Sequence, residues 1–162
     1  MSASISELIN LISGGFMDAD DARPIVAAVD AARENPADYQ AKYDVYGYTE
    51  ESGMPLWQWV LIHLLPPDLL FCAPQLDDLY AQIWESFDDG LELDPDELSG
   101  LKTDKALKLI QQDLGPQFAL ASFGKPVSAE EPWQCVLVRS SEITQYLMLC
   151  NELQLRAEVC GR

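Results

Sequence analysis

The single histidine of the chain, His63, is the first residue whose type could support chemistry. An imidazole can accept and release a proton near neutral pH. His63 lies with Trp57 and Trp59 in the most apolar stretch, residues 54–65, so these three side chains could line a ligand pocket. A catalytic histidine also needs a nucleophile or an orienting carboxylate, and Cys72 is a conceivable partner although no catalytic motif surrounds it. The other interpretation is a core or edge histidine whose ring is satisfied by a hydrogen bond.

The acidic segment 85–97 is the second candidate, because its carboxylates could bind calcium. A twelve-residue calcium loop with Gly90 at its sixth position would place Phe87 at the third position, where a ligand is required. Its last position would hold an aspartate instead of the usual bidentate glutamate. The pattern therefore favours a structural interpretation, with a turn at Gly90 and a cap at Asp94 for a short helical segment that begins at Pro95.

Charge is the most unusual property of the sequence. The net charge is −17 at pH 7, and the 59 residues between Lys42 and Lys102 contain thirteen Asp and Glu but no Lys or Arg. Such a surface repels nucleic-acid phosphates and anionic membranes, so we expect neither as a partner. A basic protein partner fits better, bound by an acidic face on helix 76–87 and the loop after it. The residues expected in this face are Asp77, Asp78, Glu85, Asp88, Asp89, Glu92, Asp94, Asp96 and Glu97.

The four cysteines show no metal-site or redox spacing, and no common nucleotide-binding, hydrolase, metalloprotease or kinase motif is present. We therefore expect no metal, no cofactor and reduced, buried cysteines, and an enzyme is the less favoured class. The one local basic cluster is formed by Lys102, Lys105 and Lys108, three residues apart. We expect these lysines to share one side of a helix and to pair with acidic neighbours.

The elements that position these residues follow from hydrophobic periodicity. A helical N-terminal two-thirds precedes a strand-strand-helix-strand tail, which predicts an α+β fold with a small C-terminal sheet. A length of 162 residues fits one domain, residues 1–162, and the absence of a signal peptide or a long apolar run predicts a cytoplasmic protein. The predicted helices are 4–13, about 19–34, 36 to about 46, 54–65, 76–87, 103–114 and one capped by Ser140 or Ser141. The predicted strands are 118–123, 133–139 and 155–160, and 69–72 is a possible fourth.

Several of these elements together resemble a family of small acidic bacterial proteins described as a domain of unknown function. The resemblance is carried by Asn35-Pro-Ala-Asp-Tyr39, the helices 57–65 and 76–87, and Cys135-Val-Leu-Val-Arg139. The sequence differs from the family where an Asp-Trp-Lys-like element is expected before the second of these helices, because residues 70–73 read Leu-Phe-Cys-Ala. The resemblance implies the fold and a bacterial origin, and it implies no activity.

Two functional hypotheses follow. The first is a bacterial cytoplasmic interaction module, similar to an immunity protein, whose acidic face binds a basic partner. The alternative is a small-molecule-binding protein or enzyme with a pocket around His63, Trp57 and Trp59. The alternative requires a cavity in which a carboxylate or Cys72 lies within hydrogen-bond reach of His63.

Overall fold

The computed structural model describes residues 2–13, 17–43, 48, 54–67, 69–86, 92–124 and 132–160. Within these residues the chain forms seven α-helices and three strands. The helices are α1 (Ser2–Ser13), α2 (Ala19–Glu34), α3 (Pro36–Lys42), α4 (Leu56–Leu64), α5 (Leu76–Ser86), α6 (Thr103–Leu114) and α7 (Ile143–Glu152). The strands are β1 (Phe71–Ala73), β2 (Phe118–Ser122) and β3 (Trp133–Arg139), and two short 3-10 helices cover Pro95–Leu98 and Ser140–Glu142.

The strands form one antiparallel sheet in the order β1-β3-β2. Phe71 pairs with Cys135 on one side of β3, and Ser122 pairs with Cys135 on the other side. The predicted α+β class is confirmed. The possible strand at 69–72 is also confirmed as a strand, shifted to Phe71–Ala73, so the sheet takes one strand from the middle of the chain as well as two from the tail.

The sheet separates two hydrophobic cores. Side chains alternate across a strand, so Ala119, Ala121 and Val136 face one core while Leu120 and Cys135 face the other. The first core is completed by apolar residues of α1, α2, α4 and α7. The second is completed by α5, α6 and the 3-10 helix Pro95–Leu98. The acidic residues of α5 and of the 3-10 helix therefore belong to the layer of the second core.

The outer edge of β1 is closed by a side chain. The amide of Gln82, on α5, accepts a hydrogen bond from the N–H of Cys72 (3.2 Å) and donates one to the Cys72 carbonyl (2.7 Å). This bidentate amide replaces a neighbouring strand at an edge that would otherwise present open backbone groups. It also ties α5 to the sheet, whereas the sequence pattern predicts that Gln82 faces away.

The outer edge of β2 is closed by residues 155–160, which we call the strap. The N–H groups of Ser122 and Gly124 donate to strap carbonyls at 2.8 and 2.7 Å, and the N–H of Cys160 donates to the Leu120 carbonyl at 2.8 Å. Only Val159 forms a β-bridge, so the predicted strand 155–160 is wrong as a regular strand although the segment does run along the sheet. Gln111 of α6 closes the rest of this edge, because its side chain bonds to backbone groups of Phe118 and Leu120.

Side chains cap the first turns of α2 and α3. The carboxylate of Asp18 accepts from the N–H of Asp21 (2.8 Å), and the Asn35 side chain accepts from the N–H of Asp38 (3.2 Å). Pro24 lies inside α2, beyond the first turn in which proline is best tolerated. The carbonyl that loses its donor there belongs to Asp20, which is exposed and thus accessible to water. The predicted Ser140 or Ser141 cap is wrong, because these residues form a 3-10 helix and α7 begins at Ile143 without a side-chain cap.

The end of α7 carries the single non-glycine residue with positive φ among the described residues, Gln154 (φ 57°). The N–H of Leu155 donates to the Cys150 carbonyl and the N–H of Gln154 donates to the Asn151 carbonyl, which together make a Schellman motif. The buried amide of Gln58 donates to the carbonyls of Leu153 and Gln154, both at 3.3 Å, and so holds this turn against α4. A left-handed residue at this position is usually glycine, since other residues pay a steric cost.

Replacing Gln154 by glycine should therefore stabilise the protein. We expect Gln154→Gly to raise the free energy of unfolding by about 1 kcal/mol, because the steric cost of the left-handed conformation disappears. Urea titration of both proteins measures the change. Asn151→Gly, one turn earlier in the helix, serves as the control and should lower stability by a similar amount. An unchanged or lower stability for Gln154→Gly would contradict the strain.

Candidate functional site

The exposed side of α5 carries the first part of the predicted acidic face. Asp77, Asp78 and Glu85 lie at positions i, i+1 and i+8, on the side of the helix opposite the fully buried Leu79 and Ile83. Asp78 and Glu85 are exposed, and Asp77 is half-buried. The structure thus confirms the placement of these three carboxylates on one helix face.

Trp84 lies on the same exposed face, at i+7 from Asp77. The apolar spacing of the sequence predicts Trp84 on the buried stripe, but the side chain is 48% exposed. Its position at the edge of the stripe explains the difference, because Leu79, Tyr80 and Ile83 already fill the core side of α5. A large aromatic ring therefore shares the exposed side of α5 with carboxylates, a combination that the sequence pattern missed.

The segment that follows α5 carries the second part of the face. The carboxylate of Asp94 accepts from the N–H of Asp96 (3.0 Å) and caps the 3-10 helix Pro95–Leu98, as predicted. Leu98 is buried in the same core as α5, which places Glu92, Asp96 and Glu97 as exposed residues in the layer of α5. Asp88 and Asp89, also predicted for the face, lie outside the described residues.

Asp113 of α6 holds this segment in place. Its carboxylate accepts hydrogen bonds from the N–H groups of Glu92 (3.1 Å) and Leu93 (3.2 Å) and from the hydroxyl of Tyr80. Burial, and then the hydrogen bond to Asp113, raise the pKa of Tyr80. The sequence could have indicated this role of Asp113, because the residue lies in the last turn of a predicted helix. The helix dipole disfavours a carboxylate there unless hydrogen-bond donors stabilise it.

A cavity of about 180 Å³ adjoins the acidic face. It lies between α5, the 3-10 helix and α6, and Asp77, Gly100, Thr103 and Trp133 are among the residues that line it. The face is therefore not flat, and one of its residues, Asp77, lines a recess.

The carboxylates of the face form no ion pair within 4 Å with any Lys or Arg in the described part of the chain. The ion pairs found there join Arg23 to Asp20 (2.9 Å) and Lys42 to Asp38 (3.4 Å), both on other helices. Among the described residues Lys102, Lys105 and Lys108 form no ion pair within 4 Å, and their pairing with acidic neighbours stays a prediction. All three lysines are exposed. An ion pair at the surface contributes little to stability, because the lysine side chain loses conformational entropy when it is held in one conformation.

The aromatic residues around His63 form a different kind of cluster. The imidazole stacks on the Trp59 ring with 3.9 Å between centroids, and Nδ1 lies 2.8 Å from the Trp59 carbonyl. A carbonyl accepts only, so Nδ1 carries the proton of this hydrogen bond. Trp57 and Trp59 are both half-buried against the first core, and Tyr48 contacts Trp59 edge-on. These contacts favour a packing role for His63 over the pocket.

The cysteines differ in exposure. Cys135, Cys150 and Cys160 are buried as predicted, but Cys72 is exposed, because it lies on the edge strand β1 with its side chain on the opposite face from the buried Phe71 and Ala73. In the part of the chain that the structure describes, no group of three or more His, Cys, Asp or Glu side chains is placed to hold a metal ion. No helix there is long and apolar enough to cross a membrane.

The anchoring role of Asp113 is testable by substitution. Asp113→Asn should lower the free energy of unfolding by about 1–3 kcal/mol, because an amide cannot replace both acceptor oxygens for the three donors. Hydrogen exchange of the Glu92 and Leu93 amides should also become faster. Asp104→Asn, an exposed change in the first turn of the same helix, is the control. Unaltered protection of both amides would show that Asp113 does not hold the segment.

Alkaline pH should destabilise the fold. Burial raises the pKa of Cys150 from 9.0 to about 11, and burial likewise raises the pKa of Tyr146. The pKa of Cys150 is thus higher in the folded protein than in the unfolded chain. The protonated thiol therefore contributes its full stabilisation below pH 9, and this contribution is lost as the pH rises from about 9 to about 11. At pH 10 the loss from Cys150 alone should be on the order of 1 kcal/mol.

Urea unfolding at pH 8 and pH 10 measures this loss. Cys150→Ala should reduce the difference between the two pH values by the contribution of Cys150. A stability that does not change over this range, or a Cys150→Ala protein with the same loss, would contradict the assignment.

Comparison of the chain with protein-family models, with curated proteins and with solved structures finds no match.

Proposed function

We propose that this chain is a bacterial cytoplasmic interaction module whose acidic face binds a basic protein partner, as immunity proteins bind basic toxin domains. The described part of the acidic face lies on α5 and on the segment after it. Its described members are Asp77, Asp78, Glu85, Glu92, Asp94, Asp96 and Glu97.

The observation that carries the proposal is the absence of ion pairs between these carboxylates and any described Lys or Arg. Carboxylates grouped on one layer create a local negative potential, which speeds encounter with a positively charged partner. Complementary charge across an interface also rejects acidic partners, so it gives specificity as well as rate.

Trp84 supplies the apolar contact that charge alone lacks. Interfaces depend on a few residues, often Trp, that are shielded by surrounding polar residues. On α5 the exposed Trp84 directly precedes the exposed Glu85 and lies two turns after Asp77, so an arginine or lysine of the partner that stacks on the ring would approach the carboxylates of the face. The recess beside Asp77 gives the partner a place for a protruding side chain.

The test is affinity capture from a bacterial lysate with the immobilised full chain at low and high salt. We expect one basic protein to be retained at low salt and released as the salt concentration rises. Trp84→Ala should weaken binding of that protein at least tenfold in a titration with purified components. The triple variant D77N/D78N/E85Q should weaken it further and flatten its salt dependence.

The control variant removes the same amount of charge elsewhere. D21N/E34Q/E152Q neutralises three exposed carboxylates on α2 and α7 and should bind like the original protein. Equal losses in the two triple variants would show that net charge alone drives retention. Capture of no basic protein at low salt would refute the proposal.

A further inference from the structure

The strap has an outer side that faces away from β2. In an extended segment, successive residues point their N–H and C=O groups to opposite sides, so alternate residues share a side. The carbonyls of Arg156 and Glu158 accept from N–H groups at the β2 edge, and the N–H of Cys160 donates to that edge. The backbone groups of Ala157 and Val159, which alternate with these residues, therefore point outward.

This outer side is an open sheet edge. In the part of the chain that the structure describes, the N–H and C=O groups of Ala157 and Val159 form no hydrogen bond. A cavity of about 400 Å³ borders the strap, and α7 contributes Leu147 and Asn151 to its lining. Ala157 also lines this cavity, so there is space beside its backbone. An edge of this kind can pair with an added strand.

The charges on the strap indicate which strand fits. Arg156 and Glu158 are exposed and flank Ala157 on either side. When two copies of the strap run antiparallel with Ala157 opposite Ala157, Arg156 of each copy lies directly opposite Glu158 of the other. Opposite charges across a strand pair stabilise it, whereas like charges directly opposite destabilise it. The strap is therefore complementary to a second copy of itself.

The neighbouring registers lack this complementarity. Backbone bonds form only when outward-pointing residues of the two copies face each other, so the second strap can shift only in steps of two residues. A shift in one direction sets Glu158 opposite Glu158, and a shift in the other direction sets Arg156 opposite Arg156. Both shifts place like charges opposite each other. The charges thus specify the register centred on Ala157.

We propose that two copies of this chain pair through their straps, antiparallel and centred on Ala157, so that one sheet continues through both copies. The N–H of Ala157 in each copy donates to the Ala157 carbonyl of the other, and two ion pairs between Arg156 and Glu158 flank these bonds. The contact is isologous, so it closes after two copies. It uses no residue of the acidic face, and the inference does not depend on what that face binds.

The pairing is weak and reversible. One short segment from each copy buries little surface, and the net charge of −17 on each chain opposes association. We therefore expect dimers at high protein concentration, in salt that screens the long-range repulsion while the balanced charges of the straps stay in contact.

Sedimentation equilibrium of the full chain measures the association. In about 0.15 M salt, we expect the average mass to rise from one chain toward two between about 10 µM and about 1 mM protein. Over the same range, hydrogen exchange of the Ala157 amide should become at least threefold slower. Exchange of the Ser122 amide, which already donates to the strap, should not change.

Charge variants test the register. Arg156→Glu and Glu158→Arg each set like charges opposite each other, and each should weaken the dimer at least tenfold. Because these two changes shift the net charge in opposite directions, net charge cannot explain a loss in both. The double variant R156E/E158R exchanges the charges and should restore the dimer. R33E, an exposed change on α2 with the same charge difference as R156E, is the matched control and should dimerise like the original protein.

A backbone variant tests the edge itself. Ala157→Pro removes the outward N–H and leaves the three hydrogen bonds between the strap and the β2 edge in place. It should abolish the dimer while exchange at Ser122 stays slow.

A chain that stays monomeric over the whole concentration range refutes the proposal and leaves the edge to a strand of another protein. A dimer that survives R156E, E158R and A157P would show that the copies meet elsewhere. Failure of R156E/E158R to restore the dimer would refute the register.

Discussion

The edges of a three-stranded sheet present backbone N–H and C=O groups that no strand satisfies, and the rest of this structure depends on how they are closed. Gln82 closes the β1 edge from α5, Gln111 closes part of the β2 edge from α6, and the strap closes the remainder. Backbone groups at a sheet edge need partners or they invite association. Two helices are therefore positioned by directional hydrogen bonds in addition to apolar packing.

This closure explains why the acidic residues occupy a defined surface. Gln82 fixes the rotation of α5 about its axis, because its amide must reach the Cys72 backbone. That rotation leaves Asp77, Trp84 and Glu85 outward while Leu79 and Ile83 point to the core. Asp113 then holds the start of the next acidic segment on α6, so the two parts of the face belong to one layer.

The parts of the fold that the sequence predicts are those governed by local rules. Amphipathic spacing predicts α5, and the Asp94 side chain caps the short helical segment Pro95–Leu98 as predicted. The third helix ends at Lys42 and not near residue 46 as predicted, and none of its residues is buried. Local spacing alone does not hold so short a helix.

Long-range pairing explains what the sequence did not predict. The side chains of Gln58, Gln82 and Gln111 form hydrogen bonds with backbone groups of other elements. The residue type alone does not indicate which backbone group a glutamine side chain will bind. The placement of Asp77, Asp78 and Glu85 is predictable from helix periodicity. The exposure of Trp84 is not, because it depends on how wide a stripe of α5 is buried by tertiary packing.

The uneven distribution of charge also acts before the fold exists. In the unfolded chain the region between Lys42 and Lys102 has thirteen acids and no base, so its segments repel one another and the ensemble is expanded. Folding must bring α5, the 3-10 helix and α6 together against that repulsion, and the hydrogen bonds to Asp113 form at the same place. Counterions that screen the repulsion lower this barrier. The acidic layer thus makes the folding rate of the protein a function of ionic strength.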